Sequence, residues 1–198
     1  MKVGRLQLGQ STLEGAITLL LFASFILMLI QLMWLLLAQQ MMQSATVQIT
    51  RYFAAGGSSS AELMVMQQRL LNPIPGYSMH LPRIKRLQPS EETIRQFGEY
   101  DVATDRFRLP ADFIALRVQQ VLSEEERERA LLAYVLQKEV IYCMPLHVPL
   151  AGGIIRQLNS QLGDLAAQLY CDALTLSSAP KIPIRTRAAV PIEHDIFL

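Results

Sequence analysis

A chain of 198 residues has room for one domain, or for one domain plus an anchor. Hydrophobic residues make up 51% of it and charged residues 18%, the latter below the roughly 25% usual in soluble domains. The net charge is +1, and once Lys2, Arg5 and Glu14 are set aside the two signs are equal in number, so the remainder has no electrostatic footprint for nucleic acid.

The charge deficit is local. From Gly15 to Thr50 there is no Asp, Glu, Lys or Arg, and Gly15 to Ala38 is almost wholly apolar. A helix of about 20 such residues, rising about 1.5 Å each, spans the hydrocarbon core of a bilayer. The pattern predicts one transmembrane helix over residues 15–38, with membrane lipid as its first partner. Thr18, Ser24 and Gln31 are its clearly polar interruptions, which a helix can back-bond or bury; Trp34 sits where an interfacial aromatic would. Lys2 and Arg5 precede the span and only Arg51 lies shortly after it. The positive-inside rule therefore keeps the N-terminus cytoplasmic and exports the rest. The expected location is an inner membrane, crossed once, with a periplasmic C-terminal domain.

The run is longer than the apolar region of about 7–15 residues in a cleaved signal peptide, and "QSA" (43–45) is a poor cleavage site. The helical pattern continues through it, with Met41, Met42, Ala45, Ile49, Tyr52 and Phe53 at three- and four-residue spacing. One helix over 10–55 is expected, transmembrane and then an amphipathic stalk over 39–55, ending where Gly56 and Gly57 supply a C-cap.

Beyond a linker at 56–60, residues 61–198 are long enough for a modest core of their own. "SSSAELMVMQQRLLNP" (58–73) reads as a helix that Ser60 can cap and Pro73 stops. "YSMHLPRI" (77–84) reads as an edge strand interrupted by Pro82, with "RIKR" (83–86) a solvated strand edge. "PSEETIRQFG" (89–98) predicts a short helix between Ser90 and Gly98. "FIALRVQQVL" (113–122) and "LLAYVLQKEVIY" (131–142) are strand candidates, the second from its alternation of Tyr134, Leu136, Lys138, Val140 and Tyr142. Ser123 with Glu126 also forms a capping box, so a helix over 124–138 stays open. "GIIRQLNSQLGDLAAQLY" (153–170) predicts a helix and "IPIRTRAAVPI" (182–192) a strand. The expected fold is α+β: a long N-terminal transmembrane helix, then a small periplasmic domain with a mainly antiparallel sheet and packed helices.

No nucleophile elbow, P-loop, dinucleotide fingerprint or zinc-ligand cluster is present, so neither an enzyme nor a cofactor or metal site is expected. His80, His147 and His194 are scattered, and Pro145 breaks the helix that would align Cys143 with His147. Cys143 and Cys171 are the only cysteines and both lie on the exported side, where disulfides persist. Joining them closes a loop of about 28 residues, worth roughly 3–4 kcal/mol in the chain-entropy model. The alternative is a pair of buried free thiols.

The N-terminus carries a more specific pattern. A basic leader, "MKVGRLQLG", precedes "QSTLE" and the apolar helix. This resembles the type III signal of type IV pilins and pseudopilins, in which a Gly precedes the cut and a Glu lies five residues after it; the matching residues are Gly9, Gln10 and Glu14. The stretch from Gly9 to Gly57 resembles the TadE-like pseudopilins of tight-adherence (Flp-type) pilus systems, with their long apolar helix and glutamine-rich exit. "VIYCMPLHVPL" (140–150) and "IPIRTRAAVPIE" (182–193) are similar to that family's late strands, and Gly15 departs from its usual Phe or Tyr. The resemblance implies a minor pseudopilin cut by a prepilin peptidase, with other pilin subunits, an inner-membrane assembly platform and its ATPase as partners. It also implies adhesion and biofilm formation, or a related secretion pseudopilus. The alternative is an uncleaved single-pass anchor carrying a periplasmic binding or scaffold module, with Glu14 only an interfacial charge.

Overall fold

The computed structural model describes residues 7–74, 82–102, 104–120, 123–146, 157, 165–174 and 181–198, with side chains from Thr12 onward. They form, in chain order, α1 (Gln7–Ala54), α2 (Ser60–Leu71), β1 (Arg83–Gln88), α3 (Glu91–Phe97), β2 (Glu99–Asp101) and β3 (Arg106–Leu109). There follow α4 (Ile114–Gln119), α5 (Glu124–Ala133), β4 (Val135–Pro145), α6 (Leu165–Ala173), β5 (Lys181–Pro191) and β6 (Ile196–Phe197). The chain divides into two compact units, one within Met1–Leu37 and Pro145–Ile182 and the other within Ala38–Met144 and Pro183–Leu198.

The first unit contains the apolar part of α1 and helix α6. Ala167, Gln168 and Cys171 are the buried residues of α6. Its Gln168 amide donates to the Lys181 carbonyl at 3.3 Å, while the Lys181 ammonium donates to the Leu174 carbonyl at 3.1 Å. The expected helix over 153–170 falls largely outside the described residues; its visible end runs on to Ala173. Residues 77–81 of the expected edge strand, His80 among them, also lie outside, as does His147.

The second unit is α+β. Its larger sheet has the order β1-β4-β5, with β1 antiparallel to β4; a smaller antiparallel sheet has the order β2-β3-β6. Strand β4, rich in Val, Ile and Tyr, is central and buried from Lys138 to Pro145 on both faces. β1 lies at the sheet edge and contains the expected strand edge 83–86, but it overlaps the strand expected over 77–84 only at Arg83 and Ile84 and runs on to Gln88. Its Lys85 faces Glu139 and its Arg86 faces Lys138. The core joins Ile94 of α3, Leu109 of β3, Val118 of α4, Ala130 of α5 and Leu136 of β4 to Ala54 at the end of α1.

Two strand expectations are corrected. Residues 113–122 contain a short helix, α4, because Ile114 and Val118, four residues apart, both face the core while Arg117 reaches Glu99 at 2.6 Å. The strand expected over 131–142 starts only at Val135. The capping box prevails before it: Ser123 accepts from the Glu126 amide, three glutamates occupy the positive end of α5, and the helix stops at Ala133. In α2 the cap is Ser59 rather than Ser60. The α3 helix matches its expected bounds, Ser90 and Gly98.

Helix α1 ends as the glycine pair suggests. Gly56 takes φ +86°, the Gly57 amide bonds the Tyr52 carbonyl at 2.9 Å, and the imidazole of His194 lies where a Gly56 Cβ would project, 2.5 Å away. By contrast, a Cβ at Gly15 would meet nothing within 4 Å. Gly56→Ala is therefore expected to destabilise the second unit by about 1–2 kcal/mol or more, read as a lower thermal midpoint of the detergent-solubilised chain. An unchanged midpoint would show that neither the left-handed backbone nor the His194 contact constrains this turn.

Candidate functional site

Helix α1 carries the residues that the sequence singles out. It starts at Gln7, earlier than expected, so the Gly9–Gln10 bond and Glu14 fall within its first turns. From Thr12 to Ala23 every side chain is exposed, and Leu19, Leu20, Leu21 and Phe22 are each more than 60% exposed. Residues Thr12–Ala54 are long and apolar enough to cross a membrane, with a mean hydropathy of 2.5 over the most apolar window, which is compatible with a single-pass anchor. Two of the three polar interruptions are satisfied on the preceding turn, and the third, Gln31, has neither amide atom hydrogen-bonded among the described residues. Thr18 Oγ1 donates to the Glu14 carbonyl and Ser24 Oγ to the Leu21 carbonyl, both at 2.8 Å, while Gln31 is fully buried.

From Ala38 onward α1 changes character. Ala38, Met42, Ala45 and Ile49 recur at spacings of four and three and are buried, as are Thr46 and Thr50. Thr46 and Thr50 back-bond the carbonyls of Met42 and Thr46 at 2.7 Å. Thr46 Oγ1 also shares a hydrogen bond with Thr186 Oγ1 of β5, and the Gln43 amide donates to the Arg187 carbonyl at 3.0 Å. This seam fixes the stalk to the sheet.

Neighbouring positions of β4 hold two buried charges on opposite faces. Glu139 accepts from Arg185 Nη2 at 3.0 Å and Arg187 Nε at 2.9 Å. Burial pushes its carboxyl up, but these two hydrogen bonds and charges outweigh it and hold it below its ordinary 4.5. Lys138 points the other way, its Nζ 3.0 Å from the centroid of the Phe53 ring. Burial, and then the charge of Arg86, pull its pKa down to about 8.

Cys143 of β4 and Cys171 of α6 are both oxidised, and as the chain's only cysteines they form one disulfide with each other, as expected. The sulfur of Cys143 is thereby withdrawn from any thiolate pairing with His147. Among the described residues no group of three or more His, Cys, Asp and Glu could hold a metal ion. Gly9, Gln10 and Glu14 share one helix, whereas the seam residues and Lys138 were not singled out as functional. The only sequence sign of the seam was the polar pair Thr46 and Thr50 at helical spacing within the stalk. No protein-family model, curated protein or solved structure matches this chain.

Because the folded carboxyl of Glu139 titrates below its ordinary value, its contribution is complete above pH 4.5 and is lost as pH falls through the lower folded value. Glu139→Gln is expected to cost about 1–3 kcal/mol at neutral pH, and the gap to the parent should close in acid. A thermal-midpoint series against pH reads both. A gap of the same size at pH 3 and pH 7 would mean that the charge of Glu139 contributes nothing.

Proposed function

We propose that this protein is a minor pseudopilin of the TadE-like kind, cut between Gly9 and Gln10 and assembled with other pilin subunits into a Flp-type pilus or related secretion pseudopilus. The observation that carries the reading is helix α1: unbroken from Gln7 to Ala54, outwardly apolar in its first half and fastened to a folded domain in its second. On this reading the N-terminus is cytoplasmic and the domain periplasmic. A prepilin peptidase, an inner-membrane assembly platform and its ATPase are the partners, and surface adhesion is the outcome.

Glu14 has a defined part in this mechanism. Cutting after Gly9 creates an α-ammonium on Gln10, with a reference pKa near 7.7–8.0. Within one helix this amine and Glu14 lie about one turn apart. When helices pack side by side, the amine of one chain can reach Glu14 of the next. In low dielectric a matched pair gains far more than in water, whereas a mismatched register buries two lone charges. The carboxylate thus rewards assembly of cut chains in one register.

The second reading, an uncut anchored binding module, is favoured by the buried cation Lys138 in its cleft. The cut separates the two. Mass spectrometry of the membrane form from cells with an active prepilin peptidase is expected to find Gln10 at the N-terminus; a retained Met1 would end the pilin reading. Gly9→Ala is expected to block or slow the cut. Glu14→Gln is expected to leave insertion and cutting intact and to impair co-purification with neighbouring pilin subunits, so normal association would reduce Glu14 to an interfacial charge.

A further inference from the structure

Lys138 has one partner in the fold, the Phe53 ring, and that partner attracts its charge without cancelling it. Strand register sets it directly opposite Arg86, and like charges at facing positions oppose strand pairing. The next pair along, Lys85 with Glu139, has opposite signs. Lys138 is only 9% exposed, yet among the described residues its ammonium has no hydrogen-bond acceptor and no carboxylate partner. A buried cation ordinarily has one or the other.

The missing counter-charge has a place to sit. Lys138 and Arg86 line an open cleft of about 490 Å³, with Phe53 and Phe197 among its apolar walls and His194 at its side. The one acid among its lining residues, Asp195, is engaged elsewhere: it pairs with Arg108 at 3.2 Å and accepts the Ala111 amide at 2.9 Å. The volume suits a small molecule. A guanidinium offers a planar fork to a carboxylate or phosphate, and an ammonium a point charge beside it.

We propose that this cleft binds a small organic anion, its carboxylate or phosphate held between Arg86 and Lys138 and its apolar body set against Ile196 and Phe197. The anion would relieve the repulsion between two facing cations, so binding and strand pairing reinforce each other. All of these residues belong to the second unit, and the proposal stands whether or not the leader is cut.

The test titrates benzoate, phenyl phosphate and the neutral analogue benzyl alcohol into the detergent-solubilised full chain at constant ionic strength, followed by calorimetry and thermal midpoint. At least one anion is expected to bind and raise the midpoint where benzyl alcohol does not, and the tighter of the two identifies the head group. Lys138→Gln and Arg86→Gln are each expected to weaken that binding about tenfold or more. Lys138→Gln removes a buried charge and a repulsion, and Arg86 is half-buried at the sheet edge, so at least one variant folds. The proposal is overturned if neither anion binds better than benzyl alcohol at millimolar concentration, if chloride gives the same protection, or if a folded variant binds as tightly as the parent.

Discussion

The burial of one stripe of α1 against the sheet is the interaction on which the second unit depends. A helix that carries Met42, Ile49 and Phe53 on one face cannot leave that face in water; burying each side chain is worth about 1.5–3 kcal/mol. Ala38 and Ala45 between them are small enough to let backbones approach. Where the stripe turns polar, Thr46 and Thr50 satisfy their hydroxyls on the preceding turn, and Thr46 meets Thr186 across the seam. The end of the helix then becomes part of the core through Phe53 and Ala54, and the Glu193 amide bonds the Ala54 carbonyl at 3.1 Å.

Strand β4 has to absorb the consequence. It is covered on both faces, yet it carries adjacent charges at 138 and 139, which alternation sends to opposite sides. Glu139 meets two arginines from the neighbouring strand, one of them 58% exposed, so the carboxylate is neutralised while its partners keep contact with water. Lys138 meets a ring and another cation. A ring quadrupole attracts an ammonium but does not neutralise it. Two buried charges one residue apart thus differ in kind, the first accounted for by structure and the second by what the cleft can hold.

How far the fold was legible depends on how local its causes are. The apolar span, the glycine stop and the Ser90–Gly98 helix rest on neighbours in sequence, and each was readable. So was the disulfide, since a chain with only two cysteines offers a single intramolecular pairing. Residues 113–122 were misread because a short apolar run fits either period, and what decides it, Val118 in the core and Arg117 on Glu99, is distant in sequence. At 124–142 both signals were real. The capping box governs up to Ala133 and the β-branched run after Val135, so the boundary was the error. The β2–β3 hairpin and β6 were not anticipated; β6 exists only because the C-terminus returns to β3, pairing Ile196 with Leu109. Lys138 looked like one more position in an alternating strand, because nothing in its own segment reveals Arg86 opposite it.

The exposed half of α1 poses a problem of selectivity. Side chains such as Leu19, Leu20 and Phe22 favour lipid over water, but lipid tails are as apolar as leucine. On the proposed reading these residues exchange lipid for neighbouring helices with little change in hydrophobic free energy, so apolar area alone cannot decide which chains assemble or in what register. Discrimination has to come from groups whose cost differs sharply between matched and mismatched states. Between Thr12 and Thr50 the one residue with formal charge is Glu14, at the outer edge of that surface. A carboxylate there adds little to attraction in general and much to the difference between right and wrong neighbours, because a charge in low dielectric is tolerable with a partner and costly without one. The same logic governs Lys138 at the other end of the helix, where an unneutralised cation makes the cleft selective for an occupant of opposite sign.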